Sequence, residues 1–340
     1  MSSLDVIVPC YGYGRYLIEC VRSVLTQSGV DVRVLIIDDH SPDDTPQVGQ
    51  QLAAEDTRVS YRRHAQNMGH IATYNEGIDW AVADYLLLLS ADDYLLPGAL
   101  SRAAALMDAS PGMGLCFGNA LELLPDGSME QASTGTLMCG ASASQTMAGV
   151  AFIELSRSSG VTNIVPTPTA VVRTAMQKGL GGYRPELPHT ADLELWLRLA
   201  AHGPVGFVSV DQAVYRRHAA NMSLAYLGDM CIADLRQRRA AIELFCNACT
   251  NVLPERVALR QRLLERLSLE AIGRASSAFN DGRPEASRQL GAFALELNPG
   301  ATRSLPWVRL ALKRRIGNRA SRALLPTVGA LRKTVARVFG

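Results

Sequence analysis

The sequence of 340 residues has no uninterrupted apolar run near the ~18–20 residues that a membrane-spanning helix needs. We therefore predict that the protein is not integral to a membrane. The segment from Met1 to Asp5 also lacks the basic start, the apolar core and the cleavage site of a secretory signal, so we expect a cytoplasmic protein.

Cysteine is scarce, with seven residues in the chain. Their number is odd, and they lie in apolar contexts such as Leu115–Phe117. This distribution is typical of reduced, packed thiols and not of a disulfide framework. Cys246 and Cys249 have CxxC spacing, but no second Cys or His pair follows them. We interpret them as neighbours on a helix rather than as a zinc site.

Two phosphate-binding motifs of other α/β proteins are absent as well. There is no GxxxxGK[ST] segment, and Gly12-Tyr13-Gly14 lacks the third glycine of the dinucleotide fingerprint. These absences argue against a P-loop kinase and against a Rossmann dehydrogenase.

Acidic residues are missing from the segment 305–340, which holds nine of the 34 basic residues. The net charge of +2 therefore divides into +9 for this tail and −7 for the first 304 residues. Basic residues alternate there with apolar ones, namely Trp307, Leu310, Leu324, Leu325, Val328, Leu331, Val335 and Val338. This pattern favours a helix in an anionic membrane interface, each basic residue contributing ~1 kcal/mol. The alternatives are a solvated helix that covers the main domain and a nucleic-acid-binding segment, and the scarcity of aromatic residues argues against the latter.

Apolar strands and amphipathic helices alternate through most of the chain. The predicted strands are Asp5–Pro9, Val32–Ile37, Val59–Arg62, Tyr85–Leu89, Met113–Asn119, Thr169–Arg173 and Val205–Val214. The predicted helices are Arg15–Gln27, Gln47–Glu55, Ala72–Ala83, Gly98–Ala109 and Ala191–His202. This alternation predicts a doubly wound α/β sheet, and we assign Asp126–Gly149 to a loop.

Three regions follow from these patterns. Residues 1–223 form the sheet domain. Residues 224–300 are rich in Ala, Leu, Arg and Glu and predict two or three helices, with breaks near Pro254 and Asp281–Pro284. Residues 301–340 form the basic amphipathic tail.

Two acidic pairs stand where predicted strands end, Asp38-Asp39 and Asp92-Asp93. Ligands of such sheets bind beyond the carboxyl ends of the strands. Mg²⁺ or Mn²⁺ is often held by one or two carboxylates and completed by substrate phosphates. The alternative for Asp92-Asp93 is a turn in which one of them caps the following helix, and Asp39 has the same alternative through Ser41.

Taken in order, several segments resemble the family 2 glycosyltransferases over about Asp5 to Ser223. They are Val6–Tyr11, Ile36–Ser41, Asn67-Met-Gly69 with Asn75-Glu-Gly77, Leu89–Asp93, Pro97-Gly98, Gly181-Gly-Tyr183, Ala191–Arg198 and Tyr215–Ser223. Each segment alone is weak evidence, but their joint order is specific.

The resemblance implies a GT-A fold, a nucleotide-diphospho-sugar donor, a divalent metal and inversion at the anomeric carbon. It implies metal binding by Asp92, Asp93 and His218, and catalysis by Asp192 as the base. The donor would contact Pro9, Tyr11, Asp38, Asp39, Asn67, Gly69, Asn75, Asp92 and Arg217. Two positions depart from the family, because Ser90 and Ala191 stand where its members often have acids.

The predicted base Asp192 and the predicted metal ligand His218 each have a simpler structural interpretation. Asp192 would be the one carboxylate that takes the acceptor's proton, but it also precedes an apolar helix face and could be its N-cap. His218 follows Arg216 and Arg217, either of which would pair with phosphate, but a histidine among arginines could also be a solvated surface residue.

We expect an inverting glycosyltransferase that uses a UDP- or dTDP-sugar and a saccharide or polyprenyl-linked acceptor in cell-surface polysaccharide synthesis. Attachment to the inner face of the cell membrane through 305–340 is a hypothesis, and no nucleic-acid partner is expected. The alternatives are a nucleotidyltransferase, which also uses strand-end acids and metal, and a non-catalytic protein that binds sugar nucleotides.

Overall fold

The computed structural model describes residues 1–132, 144–219, 221 and 232–317. The chain divides into two compact units: the first comprises Met1–Met222 and Glu243–Pro254, and the second comprises Ser223–Ile242 and Glu255–Gly340. Within the described ranges, no helix is both long enough and apolar enough to span a bilayer.

The first unit is built on one mixed sheet. Its strands are β1 (Ser3–Cys10), β2 (Asp31–Asp38), β3 (Val59–Arg63), β4 (Tyr85–Leu88), β5 (Tyr94–Leu95), β6 (Leu115–Leu123), β7 (Met129–Gln131), β8 (Gln145–Met147), β9 (Val171–Arg173) and β10 (Val205–Arg216). Its helices are α1 (Gly14–Leu25), α2 (Thr45–Glu55), α3 (His70–Trp80), α4 (Ala99–Asp108), α5 (Gly149–Ser158), α6 (Thr174–Leu180) and α7 (Ala191–His202).

The strand order is β3-β2-β1-β4-β9-β6-β10-β5, with β7 beside β6 and β8 beside β10. Strands β3, β2, β1 and β4 are parallel, which explains why Val6, Ile7 and Val8 are buried on both faces of the sheet. Because β2 and β3 extend from one side of β1 and β4 lies on the other, the strand order reverses between β1 and β4. Ligands of doubly wound sheets bind at such a point.

The α/β fold class is confirmed, and each predicted strand and helix of this unit is present with ends shifted by a few residues. Strand β9 pairs antiparallel with both β4 and β6, so the sheet is mixed. The predicted loop Asp126–Gly149 contains the short strands β7 and β8, and its residues 133–143 lie outside the described residues. Helices α5 and α6 were missed, since each is short and follows directly on an extended segment.

The described residues of the second unit are helical, and the helices end near the predicted breaks at Pro254 and Asp281–Pro284. Helix α8 (Ile232–Ala248) begins in the second unit and ends in the first; α9 (Arg256–Asn280), α10 (Pro284–Leu297) and α11 (Leu305–Ile316) follow. The hydroxyl of Ser268 donates to the carbonyl of Ala294 at 2.8 Å and joins α9 to α10. Leu310, one of the apolar tail residues from which a helix in a membrane interface was predicted, is instead buried. The part of the tail after residue 317 lies outside the described residues.

The cysteines within the described ranges are buried and form no disulfide. Burial raises the pKa of the Cys249 thiol to about 12. Cys246 lies in α8 and Cys249 directly follows it. Among the residues described, no three His, Cys, Asp or Glu side chains are grouped closely enough to hold a metal ion by themselves.

Candidate functional site

The candidate site lies beyond the carboxyl ends of β1 and β4, beside the end of β10. Strand β4 leads into Ser90, whose carbonyl accepts a hydrogen bond from the amide of Asp93 at 3.0 Å and closes a tight turn. The hydroxyl of Ser90 donates to Oδ1 of Asp92. Helix α4 is capped by Gly98, so the alternative in which Asp92 or Asp93 caps it is wrong.

Arg216, the last residue of β10, ties the acidic turn to this strand. Its amide donates to Oδ1 of Asp93 at 3.0 Å, and its Nε donates to the carbonyl of Asp92 at 3.0 Å. Asp93 is buried, and this burial together with the neighbouring charge of Asp92 raises its pKa well above the ordinary range. Asp93 therefore anchors the turn, and its contact with a metal stays a prediction.

His218 faces the other oxygen of Asp92. Nε2 of His218 lies 2.9 Å from Oδ2 of Asp92, and the His218 side chain is 11% exposed. Its ring stacks on Tyr16 at 5.7 Å and meets the edge of Tyr13 at 5.4 Å. The side-chain oxygen of Asn221 accepts from the amide of His218 at 2.6 Å. The alternative of a solvated surface histidine is thus wrong.

This pair fits one octahedral divalent ion. Adjacent ligands that each lie ~2.1 Å from such an ion are about 3.0 Å apart, close to the 2.9 Å between Asp92 and His218. One carboxylate and one imidazole leave positions for diphosphate oxygens and water, which Mg²⁺ and Mn²⁺ accept readily. The residues present therefore suit a metal that the substrate helps to hold.

The other acidic pair is largely occupied by its own chain. Asp38 accepts from the amide of Ser41 at 2.7 Å and from the hydroxyl of Tyr61 at 2.7 Å. Asp39 accepts from the amides of Met68 and Gly69 at 2.6 and 2.9 Å. Both carboxylates shape the loops at this end of the sheet.

His64 adds a third contact to Asp39. Nδ1 of His64 lies 2.7 Å from Asp39, and its Nε2 lies 2.8 Å from Glu76. Burial lowers the pKa of His64, but the hydrogen bonds and charges of these two carboxylates outweigh it, so that the pKa is raised. The base or ribose contacts of Asp38 and Asp39 stay predictions.

Further residues predicted to bind the sugar-nucleotide donor lie near this end of the sheet. Pro9 lies in β1 beside Ile37, and Tyr11 follows β1 with 51% of its surface exposed. Gly69 precedes α3 with φ of +82°, a conformation that favours glycine, and its amide donates to Oδ1 of Asn67 at 3.1 Å.

Two of these predicted donor residues are engaged by the protein. Asn75 exchanges two hydrogen bonds with the main chain of Tyr183, at 2.7 and 2.9 Å. Arg217 forms a bidentate pair with Glu122 at 2.7 and 2.8 Å. Their contacts with the donor are not established and stay predictions.

Asp192 lies in the first turn of α7. The residue that caps this helix is Thr190, so the N-cap alternative for Asp192 is wrong. Its Oδ2 accepts from Oγ1 of Thr167 at 3.3 Å, and it also accepts from the hydroxyl of Tyr183. Burial raises the pKa of Asp192, and both hydrogen bonds oppose that rise. A neighbouring acid at position 191 would also raise this pKa, so burial has the effect that such an acid would have had.

Tyr74 is affected by both acidic groups of the site. The charges of Asp192 and Asp92 both act on this half-buried tyrosine and add to the rise of its pKa that burial causes. Its ring meets the edge of the Tyr183 ring at 5.3 Å. Analysis of the sequence missed Tyr74, Tyr13, Tyr16 and Thr167, and only Tyr183 carried a signal, through its Gly181-Gly182 neighbours.

Comparison with known proteins identifies a protein family that matches the N-terminal part of the chain. Residues 5–134 match the model of "Glycosyl transferase family 2". An uncharacterized protein of Mycobacterium tuberculosis is 26% identical over 219 residues, which is 64% of this chain and 67% of that protein. A GalNAc(5)-diNAcBac-PP-undecaprenol beta-1,3-glucosyltransferase of Campylobacter jejuni is 34% identical over 122 residues, 36% of this chain and 39% of the relative. The chain thus spans well under two thirds of the second relative.

A solved structure shows the fold. TarS 1-349 of S. aureus in complex with UDP-GlcNAc superimposes with a TM-score of 0.59 at 16% identity, over 92% of this chain and 91% of that one. The fold and the family match confirm the resemblance that the sequence motifs predicted. The segment 5–134 thus matches glycosyl transferase family 2, and the chain has a GT-A fold.

Proposed function

We propose that the protein transfers a sugar from a UDP- or dTDP-sugar to a hydroxyl of a saccharide or lipid-linked acceptor, with inversion at the anomeric carbon. The observation that carries this proposal is that two acidic groups with different partners act on Tyr74. The charges of Asp92, which is paired with His218, and of the half-buried carboxylate of Asp192 both act on Tyr74. A single displacement needs one carboxylate that takes a proton and is not itself one of the metal ligands.

The reaction follows from these positions. Asp92 and His218 would hold Mg²⁺ or Mn²⁺, which neutralises charge on the departing diphosphate when bound. Asp192 takes the proton of the acceptor hydroxyl, the acceptor oxygen bonds to the anomeric carbon, and the bond from that carbon to the diphosphate oxygen breaks. The raised pKa of Asp192 makes it a stronger base for this proton.

The substrate classes rest on relatives. The Campylobacter relative is named for an undecaprenol-linked acceptor, and the TarS neighbour was solved with UDP-GlcNAc. Both names support a UDP-sugar and a lipid-linked saccharide as the first substrates to test.

Product analysis tests the transfer. We expect UDP-glucose or UDP-GlcNAc with Mn²⁺ to yield UDP and a free or transferred sugar of inverted configuration, read by phosphorus and proton NMR. Release of pyrophosphate would show a nucleotidyltransferase. Tight binding of UDP-sugars without turnover over a panel of saccharide acceptors would favour a non-catalytic protein.

Loss of His218 should weaken metal binding. In calorimetric titrations with UDP present, we expect His218→Ala to lower the affinity for Mn²⁺ at least about tenfold, because one of the two protein ligands is gone. His202→Ala is the matched control, since His202 binds the carbonyl of Arg198 at the end of α7. Equal Mn²⁺ affinities in the two variants would remove His218 from the metal site.

Helix α11 offers a face for a membrane. Four aliphatic side chains at helical spacing are exposed there by 60, 51, 55 and 42%: Leu305, Val308, Leu312 and Ile316. The exposed residues Arg309 and Arg315 flank this stripe on the helix. Leu310, on the opposite side of α11, is buried, and Lys313 donates to Ser276 of α9 at 2.8 Å. We propose that the stripe enters an anionic interface and brings the enzyme to a lipid-linked acceptor at the inner face of the membrane.

Vesicle flotation tests this attachment. The protein should float with vesicles that contain phosphatidylglycerol, and the double variant Val308→Glu/Leu312→Glu should remain at the bottom of the gradient. Val257→Glu, at another exposed valine of a helix, should float like the unaltered protein. Flotation of the double variant at an unchanged level would contradict the role of α11.

A further inference from the structure

Tyr183 lies beside the proposed base and is held by groups outside the reaction. We propose that Tyr183 is a positioning residue that fixes the carboxylate of Asp192, and that Asn75 and Arg198 lock Tyr183 in place. The proposal rests on the proposed role of Asp192 as the base.

The side chain of Tyr183 has little freedom. It is 4% exposed, and its ring packs edge-on against Tyr74 with centroids 5.3 Å apart. Its hydroxyl donates to Asp192, whose Oδ2 also accepts from Thr167 at 3.3 Å. Two donors from different segments thus hold one carboxylate and limit its rotation.

Asn75 holds the main chain of Tyr183. Its Oδ1 accepts from the Tyr183 amide at 2.7 Å, and its Nδ2 donates to the Tyr183 carbonyl at 2.9 Å. The amide side chain therefore pairs with Tyr183 as a neighbouring strand would. The contact is so close to Gly182 that a Cβ added there would lie 2.1 Å from Oδ1 of Asn75.

Arg198 holds the preceding residues. Nη1 donates to the carbonyls of Leu180 and Gly181 at 2.6 and 2.8 Å. Nη2 donates to the carbonyl of Gly182 at 2.8 Å and to Glu194 at 2.8 Å, and Nε donates to Glu194 at 2.9 Å. All five N–H groups of the guanidinium are paired.

The proposed base and the arginine that holds the Tyr183 loop lie in the same helix. Asp192, Glu194 and Arg198 belong to the same helix, α7, so the loop that carries Tyr183 is fastened to the helix that carries the base. A displacement of ~1 Å at a reacting group can lower a rate about 100-fold. Fixing Tyr183 to α7 keeps the hydroxyl and the carboxylate together.

Tyr183→Phe tests the hydroxyl alone, because the ring and its packing remain. With UDP-glucose and UDP-GlcNAc as probes in Mn²⁺, we expect kcat for UDP release to fall about 3–10-fold, the cost of one hydrogen bond, while KM for the donor stays the same. The lost hydrogen bond lowered the pKa of Asp192, so this pKa rises further and the acid limb of the pH profile moves to higher pH.

Gly182→Ala tests the support without altering Tyr183. The added methyl must displace Asn75, so the same decrease in kcat and the same shift of the acid limb are expected. Gly179→Ala is the matched control, because a Cβ there meets no atom within 4 Å. Its kcat and pH profile should equal those of the unaltered protein.

Carbon-13 NMR of labelled aspartate separates this proposal from the proposed function. The Asp192 carboxyl, assigned through Asp192→Asn, should titrate at higher pH in Tyr183→Phe and Gly182→Ala than in the unaltered protein. Unchanged titration in both variants would overturn the positioning role, whatever the activity. Shifted titration with no UDP release from either probe in any of the proteins would uphold the clamp on Asp192 and contradict its use in glycosyl transfer, and with it the positioning role in catalysis.

Discussion

Replacement of Asp192 by Asn is expected to lower turnover about 10²–10⁴-fold, the range that removal of a general base typically costs. The amide has nearly the same shape as the carboxylate and can still accept from Thr167, but it cannot take a proton from the acceptor. The affinity for UDP should stay within about twofold, because Asp92 and His218 are paired with each other, whereas Asp192 contacts Thr167 and Tyr183. Steady-state UDP release and calorimetric UDP binding measure the two effects.

Asp79→Asn is the matched control for this variant. Asp79 is an exposed aspartate on α3, and its replacement should leave both UDP release and UDP binding unchanged. Turnover by Asp192→Asn at more than about a third of the rate of the control would exclude Asp192 as the base. A parallel loss of UDP binding would indicate a disturbed site instead of a missing proton acceptor.

The strands and the site edge could be predicted because their signals are local. Val6, Ile7 and Val8 form an apolar run that only a strand buried on both faces requires, and the acidic pairs follow such runs directly. The ends of parallel strands share one edge of a sheet, so their proximity follows from the fold class.

The partners of these residues could not be predicted, because they come from distant segments. Asn75 and Tyr183 are 108 positions apart. Asp92 and His218 are 126 positions apart, and only the family resemblance, not a local pattern, assigned them to one site. No periodicity reports such pairs. The face of α11 shows the same limit: Leu310 has an apolar side chain that would suit either side, and only its packing shows that it points inward.

Tertiary pairing also changes how the predicted acids are interpreted. Asp39 stands at a strand end like Asp92, yet it accepts hydrogen bonds from two main-chain amides and contacts His64. One oxygen of Asp92 accepts from the nearby hydroxyl of Ser90, and its other oxygen faces the imidazole of His218. A carboxylate that already has three partners contributes mainly to loop structure. One that faces a potential metal ligand retains a part in substrate binding.

Replacement of Arg198 by Met should destabilise the first unit by about 3–5 kcal/mol. The ion pair of Arg198 and Glu194 is almost fully buried, with side chains 2% and 0% exposed, so the variant leaves an uncompensated charge on Glu194. It also leaves the carbonyls of residues 180–182 without their donors. Arg198→Lys should recover little, because three donors on an ammonium cannot reproduce the five of a planar fork.

Chemical denaturation distinguishes the two contributions. The double variant Glu194→Leu/Arg198→Met removes the stranded charge and should regain part of the loss, while the unpaired carbonyls keep it less stable than the unaltered protein. Arg157→Met, in a far more exposed i,i+3 pair with Glu154, should cost less than about 1 kcal/mol. If Arg198→Met were no more destabilising than Arg157→Met, then Arg198 would not hold the Tyr183 loop in solution, since a guanidinium with five paired donors cannot be removed at so small a cost.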